Sequence, residues 1–166
     1  MILVSNREWK IIESCYNNKD IFHGNVHGKD HITAVLEYAN KMLEYNICQK
    51  DIDVIKWAIL FHDSGRQHDG LSDEVHGKFG SRIANDTIAH YKIPVDSRKV
   101  SSIVALHAET TTASSIQEAI VRTADRLDLY RFKSIKSLDS TLLETRTIWR
   151  MVEPYAIKRR ENAVLE

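Results

Sequence analysis

The sequence predicts an all-α, single-domain helical bundle, and three observations carry that prediction. Six Gly and two Pro in 166 residues leave too little turn material for an all-β fold. Apolar residues recur at i, i+3, i+4 spacing in one segment after another. The length suits one domain of roughly 100–200 residues, which can bury a core without disulfide or metal staples. No repeat, low-complexity stretch or composition break divides the chain, so residues 1–166 read as one domain.

The elements follow in order. Residues 5–17 open with Ser5-x-x-Glu8, the pattern of a capping box, and Trp9, Ile12 and Tyr16 follow at helical spacing. Residues 29–46 carry the clearest stripe, Ile32, Val35, Leu36, Ala39, Met42 and Leu43, with Asp30 as the expected N-cap. Asp51 or Asp53 is expected to cap a third helix ending in the run Trp57-Ala58-Ile59-Leu60-Phe61, apolar all round and therefore buried. Residues 64–75 read as a loop. A fourth helix spans roughly 76–91, with Phe79, Ile83, Ala84 and Ile88 on its inner face. Asp96 or Ser97 caps a fifth, through Val100, Ile103, Val104 and His107. Ser114 or Ser115 starts a sixth, with Ile116, Ala119, Ile120, Ala124 and Leu127 inward, and 139–163 reads as C-terminal helix interrupted near Pro154.

Charge and cysteine content narrow the function classes. Twenty-three basic and 23 acidic residues give no net charge, so no bulk attraction to nucleic acid or anionic membranes is expected. The Lys158-Arg159-Arg160 run reads as a solvated helix end. No apolar run approaches the ~18 residues of a membrane span. Met1-Ile2-Leu3-Val4 is too short for a secretory signal. Cys15 and Cys48, at no motif spacing, point to free thiols in a reducing cytoplasm. The expected assembly is a monomer or homodimer.

Eight histidines lie at 23, 27, 31, 62, 68, 76, 90 and 107, none of them in the last 59 residues. His-Asp pairs occur twice, at 62–63 and 68–69, so the dipeptide carries little by itself. Position separates the two pairs. Asp63 directly follows the buried run, at the negative end of a helix, where a carboxylate is disfavoured and a cation would reverse the penalty. The plainer alternative is that Asp63 starts the turn with Ser64-Gly65. His31 sits at the edge of the apolar stripe, and a carbonyl-bonded core histidine is its plainer alternative. Asp125 lies between Val121 and Leu129 at helical spacing and faces partly inward, where it needs a partner; Arg122 or a neighbouring helix is the plainer candidate.

The order of these residues is more specific than any one of them. His31 in HGKDHITAV, His62-Asp63 in WAILFHDSGR and Asp125 in RTADRLDL resemble the H…HD…D pattern of the HD-domain superfamily of metal-dependent phosphohydrolases. The likeness spans about residues 23–132. It implies an all-α bundle of HD type and a divalent cation held by His31, His62, Asp63 and Asp125. Some two-metal members carry further histidines, and His76, four residues before Gly80, and His107, followed by Ala108-Glu109, stand at comparable places. They form a candidate second site bridged by Asp63. The Gly-Tyr-Pro signature of the cyclic-dinucleotide branch is absent after Glu109, and the Glu-Asp pair of guanosine-tetraphosphate hydrolases is absent after Asp63. Neither substrate is carried over.

Two imidazoles and two carboxylates suit Mn, Fe, Co, Ni or Zn, as one ion or two, and suit Ca poorly. Such a cation acidifies water and neutralises charge on a phosphoryl group. The expected activity is hydrolysis of a small phosphate ester, of a nucleotide or another phosphorylated metabolite, with Asp63 and Arg66 as catalytic residues. Arg66 offers a planar fork to phosphate oxygens, and pairing with Asp69 or Asp73 is its plainer role. His27 is read as a substrate contact, and Arg126, Asp128 and Arg131 as supports of Asp125. The general acid is open among His27, His68, His76 and Glu109. A lid is expected within 64–76. Two alternatives stand: a di-iron oxygenase of the same fold, which needs His76 and His107 as ligands, and an inactive metal-binding or scaffold module.

Overall fold

The computed structural model describes residues 1–43, 49–68, 75–109 and 111–128. Seven helices and no strand occur among the described residues: α1 (Asn6–Cys15), α2 (Lys19–Phe22), α3 (Lys29–Met42), α4 (Gln49–Phe61), α5 (His76–His90), α6 (Ser97–Leu106) and α7 (Ile116–Asp128). The expected all-α bundle is what forms. None of the helices is long and apolar enough to cross a membrane. The readings over 139–163, Lys158-Arg159-Arg160, Arg131, Asp69, Asp73, Cys48 and residues 69–74 of the lid lie outside the described residues.

Local chemistry sets most helix starts. The Ser5 capping box is present: Ser5 N donates to Glu8 Oε2 at 2.7 Å, and Glu8 N donates to Ser5 Oγ at 3.3 Å. Asp96 caps α6, accepting from the backbone N of Arg98 and Lys99 at 3.1 and 3.2 Å. Ser115 Oγ accepts from Glu118 N at 3.2 Å and opens α7.

Four expectations are corrected. Asp30 does not cap α3; Gly28 does, with no side-chain bond, because its α-carbon lies against the Gly24 and Phe22 carbonyls, where a built Cβ would meet them at 2.2 and 2.7 Å. Asp51 and Asp53 do not cap α4, which has begun by Gln49; Asp51 instead accepts from Gln117 Nε2 of α7 at 2.5 Å. Phe79 and Ile116 are not inward but 40% and 54% exposed; α5 turns its Gly77–Gly80 edge, not Phe79, toward α6 and α4, and Ile116 is the first residue of α7. The short helix α2, capped by Asn18, had no signal in the apolar pattern, being only one turn long.

The core is one cluster, with Ile12, Ile32, Val35, Ile55, Ile59, Phe61, Val104, Ile120 and Leu127 at its centre. The Trp57–Phe61 run is buried throughout, as its all-round apolar character requires. α4 contacts α3, α5, α6 and α7, so its C-terminal end meets the other elements. Glycines permit the closest approaches. A Cβ on Gly65 would lie 2.2 Å from the His76 carbonyl, and one on Gly77 would lie 2.8 Å from that of Ala105. The start of α5 therefore rests directly on the turn after α4 and on the end of α6.

Candidate metal centre

The ends of α3, α4, α5 and α6 meet at one end of the bundle, and α7 runs beside them. The first turn of α3 carries His31, with His27 in the turn before it. His62 and Asp63 follow the last residue of α4, His76 is the first residue of α5, and His107 caps the end of α6. α7 adds Asp125 and Asp128. The five histidines and Asp63 are all at least 97% buried, and the Asp125 side chain is 14% exposed.

Asp63 is the hub. Its Oδ2 lies 3.0 Å from His27 Nδ1, 3.1 Å from His62 Nε2 and 3.4 Å from His31 Nε2. Its Oδ1 accepts from Arg66 Nε at 2.6 Å and lies 3.4 Å from His76 Nε2 and 4.0 Å from His107 Nε2. Asp125 Oδ1 completes the first group, 3.2 Å from His31 Nε2 and 3.6 Å from His62 Nε2.

Hydrogen bonds on the far ring nitrogens orient three of the imidazoles. His62 Nδ1 donates to the Ile59 carbonyl at 2.6 Å, and His107 Nδ1 donates to that of Val104 at 2.7 Å. His31 Nδ1 donates to Asp128 Oδ2 at 2.6 Å. Each Nδ1 carries the proton, so in the neutral ring each Nε2 directs a lone pair into the cluster. His31 Nε2 and His62 Nε2 then face one another at 3.0 Å, and His76 Nε2 and His107 Nε2 at 2.9 Å. In the His31–His62 pair two lone pairs repel at that distance unless a proton or a metal ion lies between them.

The spacing also suits one ion. Five separations among His31 Nε2, His62 Nε2, Asp63 Oδ2 and Asp125 Oδ1 fall between 3.0 and 3.6 Å. Ligands about 2.1 Å from a common ion stand roughly 3.0 Å apart in octahedral geometry and roughly 3.4 Å in tetrahedral. The residues fit a transition-metal cation. Among the described residues, His27–His31–Asp63, His31–His62–Asp125 and Asp63–His76–His107 each bring three donor atoms close enough to share an ion.

The electrostatics point the same way. Burial would lower the pKa of His62, but the charge of Asp63 and the bonds to Asp125 outweigh it and raise it to about 9. Burial opposes His31 likewise, and Asp125, Asp128 and Asp63 hold it well above the ordinary histidine value. Burial would raise Asp63, yet the His62 charge, with His27 and His31, keeps it well below the usual carboxylate range. His107 differs: burial and the neighbouring His62 charge push it down to about 3. His76 is buried as well, at the start of α5.

The structure therefore brings all four H…HD…D residues together and sets His76 and His107 beside them. His27 and Arg66, read from sequence as substrate contacts, both touch Asp63. Arg122 does not pair with Asp125. Its Nη2 meets Glu118 Oε1 at 2.6 Å, one turn back on α7. His68 and Glu109 are exposed. Asp128, read as a support of Asp125, holds His31 instead; its i+3 spacing from Asp125 puts both on one helix face.

A family model described as HD domain matches residues 28–130, a span that includes every clustered residue except His27. No curated protein matches the chain, and no solved structure does.

Proposed function

The chain belongs to the HD-domain family, a superfamily of metal-dependent phosphohydrolases, and from that premise we propose that it hydrolyses a small phosphate ester, of a nucleotide or another phosphorylated metabolite, in the cytoplasm. The observation that carries the reading is the His31–His62 pair, with Nε2 atoms 3.0 Å apart and two carboxylate oxygens beside them. His31, His62, Asp63 and Asp125 would hold a divalent ion among Mn, Fe, Co, Ni and Zn. When bound, it supplies a Lewis acid and a water acidified toward neutral pH. Asp128 keeps His31 Nδ1 protonated and its Nε2 available. His27 steadies Asp63 through Oδ2. Arg66 sets a permanent positive charge beside the place where the phosphoryl group binds. His76 and His107 are the candidate ligands of a second ion, which keeps a di-iron oxygenase as the second reading.

Elemental analysis of untagged protein, followed by a phosphate-ester screen with added Mn2+, Co2+ or Ni2+, tests the proposal. About one equivalent of metal and metal-dependent phosphate release are expected. No uptake of any of these ions sinks it and leaves a scaffold role. Full activity of iron-free protein with Mn2+ removes the oxygenase.

Two further results are expected. Asp128→Asn keeps the shape but weakens the acceptor on His31 Nδ1, so metal affinity falls by roughly 10–100-fold, the usual effect of losing an outer-shell partner. Titration calorimetry with Mn2+ checks it, and an unchanged affinity would count against the orienting role. Metal affinity also depends on pH with a defined sign. The metal-free pair holds a proton, because His62 is raised to about 9. Below that pH a cation must displace it, so apparent affinity rises with pH by up to about tenfold per unit for each proton released. Titrations at several pH values between mildly acidic and mildly alkaline read the slope; a flat profile contradicts the assignment.

A further inference from the structure

We infer that Arg66 holds the centre at a single divalent cation, its guanidinium occupying the electrostatic place of a second. The inference rests on the metal reading above. Asp63 turns one oxygen to each histidine group: Oδ2 to His31 and His62, Oδ1 to His76 and His107. Oδ1 is already bonded to Arg66 Nε at 2.6 Å, closer than His76 at 3.4 Å or His107 at 4.0 Å.

The guanidinium stays charged throughout the working pH range and is almost completely buried here. It acts on a second cation in two ways. It takes up one of the two lone-pair directions of the oxygen that a second ion would need. It also places like charge against that ion where little water intervenes to screen it. The His76–His107 pair, with Nε2 atoms 2.9 Å apart, still has the spacing of neighbouring ligands. The second half of the cluster is thus shaped for a cation and closed by charge. The closing group is local: Arg66 lies three residues after Asp63, in the turn that follows α4. A centre so arranged neutralises a bound phosphoryl group with one metal ion and one arginine, in place of two metal ions.

Calorimetric titration of the metal-free full chain with Mn2+ tests the inference, with the electron paramagnetic resonance of the bound Mn2+ as a second readout. Wild type is expected to take one equivalent and to show an uncoupled signal. Arg66→Gln is expected to take two, its second equivalent binding roughly tenfold or more tightly than any second ion on wild type, with the broadened signal of a coupled pair. Arg66→Lys keeps the charge and should stay at one. Arg66→Gln combined with His107→Gln should return to one. A loss of packing alone would not be reversed by a lysine in this way.

Equal stoichiometry and affinity in wild type and Arg66→Gln overturn the inference while leaving the metal reading intact. Wild type with two equivalents of similar affinity overturns it without any variant, so a poorly folded Arg66→Gln does not leave the matter open. No Mn2+ uptake by any of the proteins overturns both.

Discussion

Asp63→Asn is expected to abolish metal uptake and to lower any metal-dependent phosphate release by a factor on the order of 1000 or more, since metal-ion catalysis supplies several kcal/mol. The substitution is nearly isosteric, so shape is kept and charge is removed. Asp63 is the residue to which both histidine groups, His27 and Arg66 all turn. Losing its charge breaks the buried pair with Arg66, at a cost of about 3–5 kcal/mol. The same change therefore lowers stability and metal binding together. Asp125→Asn separates the two effects. Asp125 meets His31 and His62 at 3.2 and 3.6 Å, contacts no arginine in those pairings and is partly open, so metal should be lost with a smaller fall in stability. Elemental analysis beside thermal denaturation of both variants reads both quantities. Retention of a full equivalent of metal by Asp63→Asn would remove Asp63 from the proposed ligand set.

Gly65→Ala is expected to be the most damaging single-methyl addition in the described chain. The new Cβ would lie 2.2 Å from the His76 carbonyl oxygen, 2.3 Å from Gly80 N and 2.9 Å from Phe79 Cβ. The two nearest atoms are backbone, so no rotamer change relieves the clash. α5 must move, and with it His76, now 3.4 Å from Asp63 Oδ1. Overpacking ordinarily costs ~1–3 kcal/mol, and this site belongs at or above the top of that range. Each kcal/mol shifts Tm by roughly 2–4 °C at this chain length, so a loss of about 10 °C is expected. Ser81→Ala, half-exposed on the same helix, is the control and should change stability by less than about 0.5 kcal/mol. Equal melting of the two variants would show that α5 does not rest on Gly65.

The glycine sits in the HDSGR stretch, where several contacts of the site are made. Its last four residues do four separate jobs in one turn. Asp63 faces the histidines, the Ser64 hydroxyl donates to the Phe61 carbonyl at 2.7 Å, Gly65 admits α5, and Arg66 folds back on Asp63.

Helical periodicity, capping chemistry and the order of four residues were legible in the chain by itself. The Ser5–Glu8 box and the Asp96 cap form as read because they depend on residues three apart. The Trp57–Phe61 run is buried because nothing on its surface could face water at low cost. Such features rest on local bonds and on the apolar content of single helices, which sequence carries directly. What the tertiary structure decided is pairing. Sequence left Asp125 with Arg122 as its plainer partner and Arg66 with Asp69 or Asp73. Arg122 meets Glu118 one turn back and Arg66 meets Asp63 within its own turn, while packing gave Asp125 to His31 and His62, and Asp128 to His31. Phe79 and Ile116 satisfied the apolar period yet lie exposed, Phe79 because glycine contacts set which face of α5 is turned inward and Ile116 at the first residue of α7. The two histidine groups sit on opposite oxygens of one carboxylate because α4 ends where α3, α5, α6 and α7 meet. Side chains separated by up to 97 residues, as His31 and Asp128 are, touch only once those helices have packed.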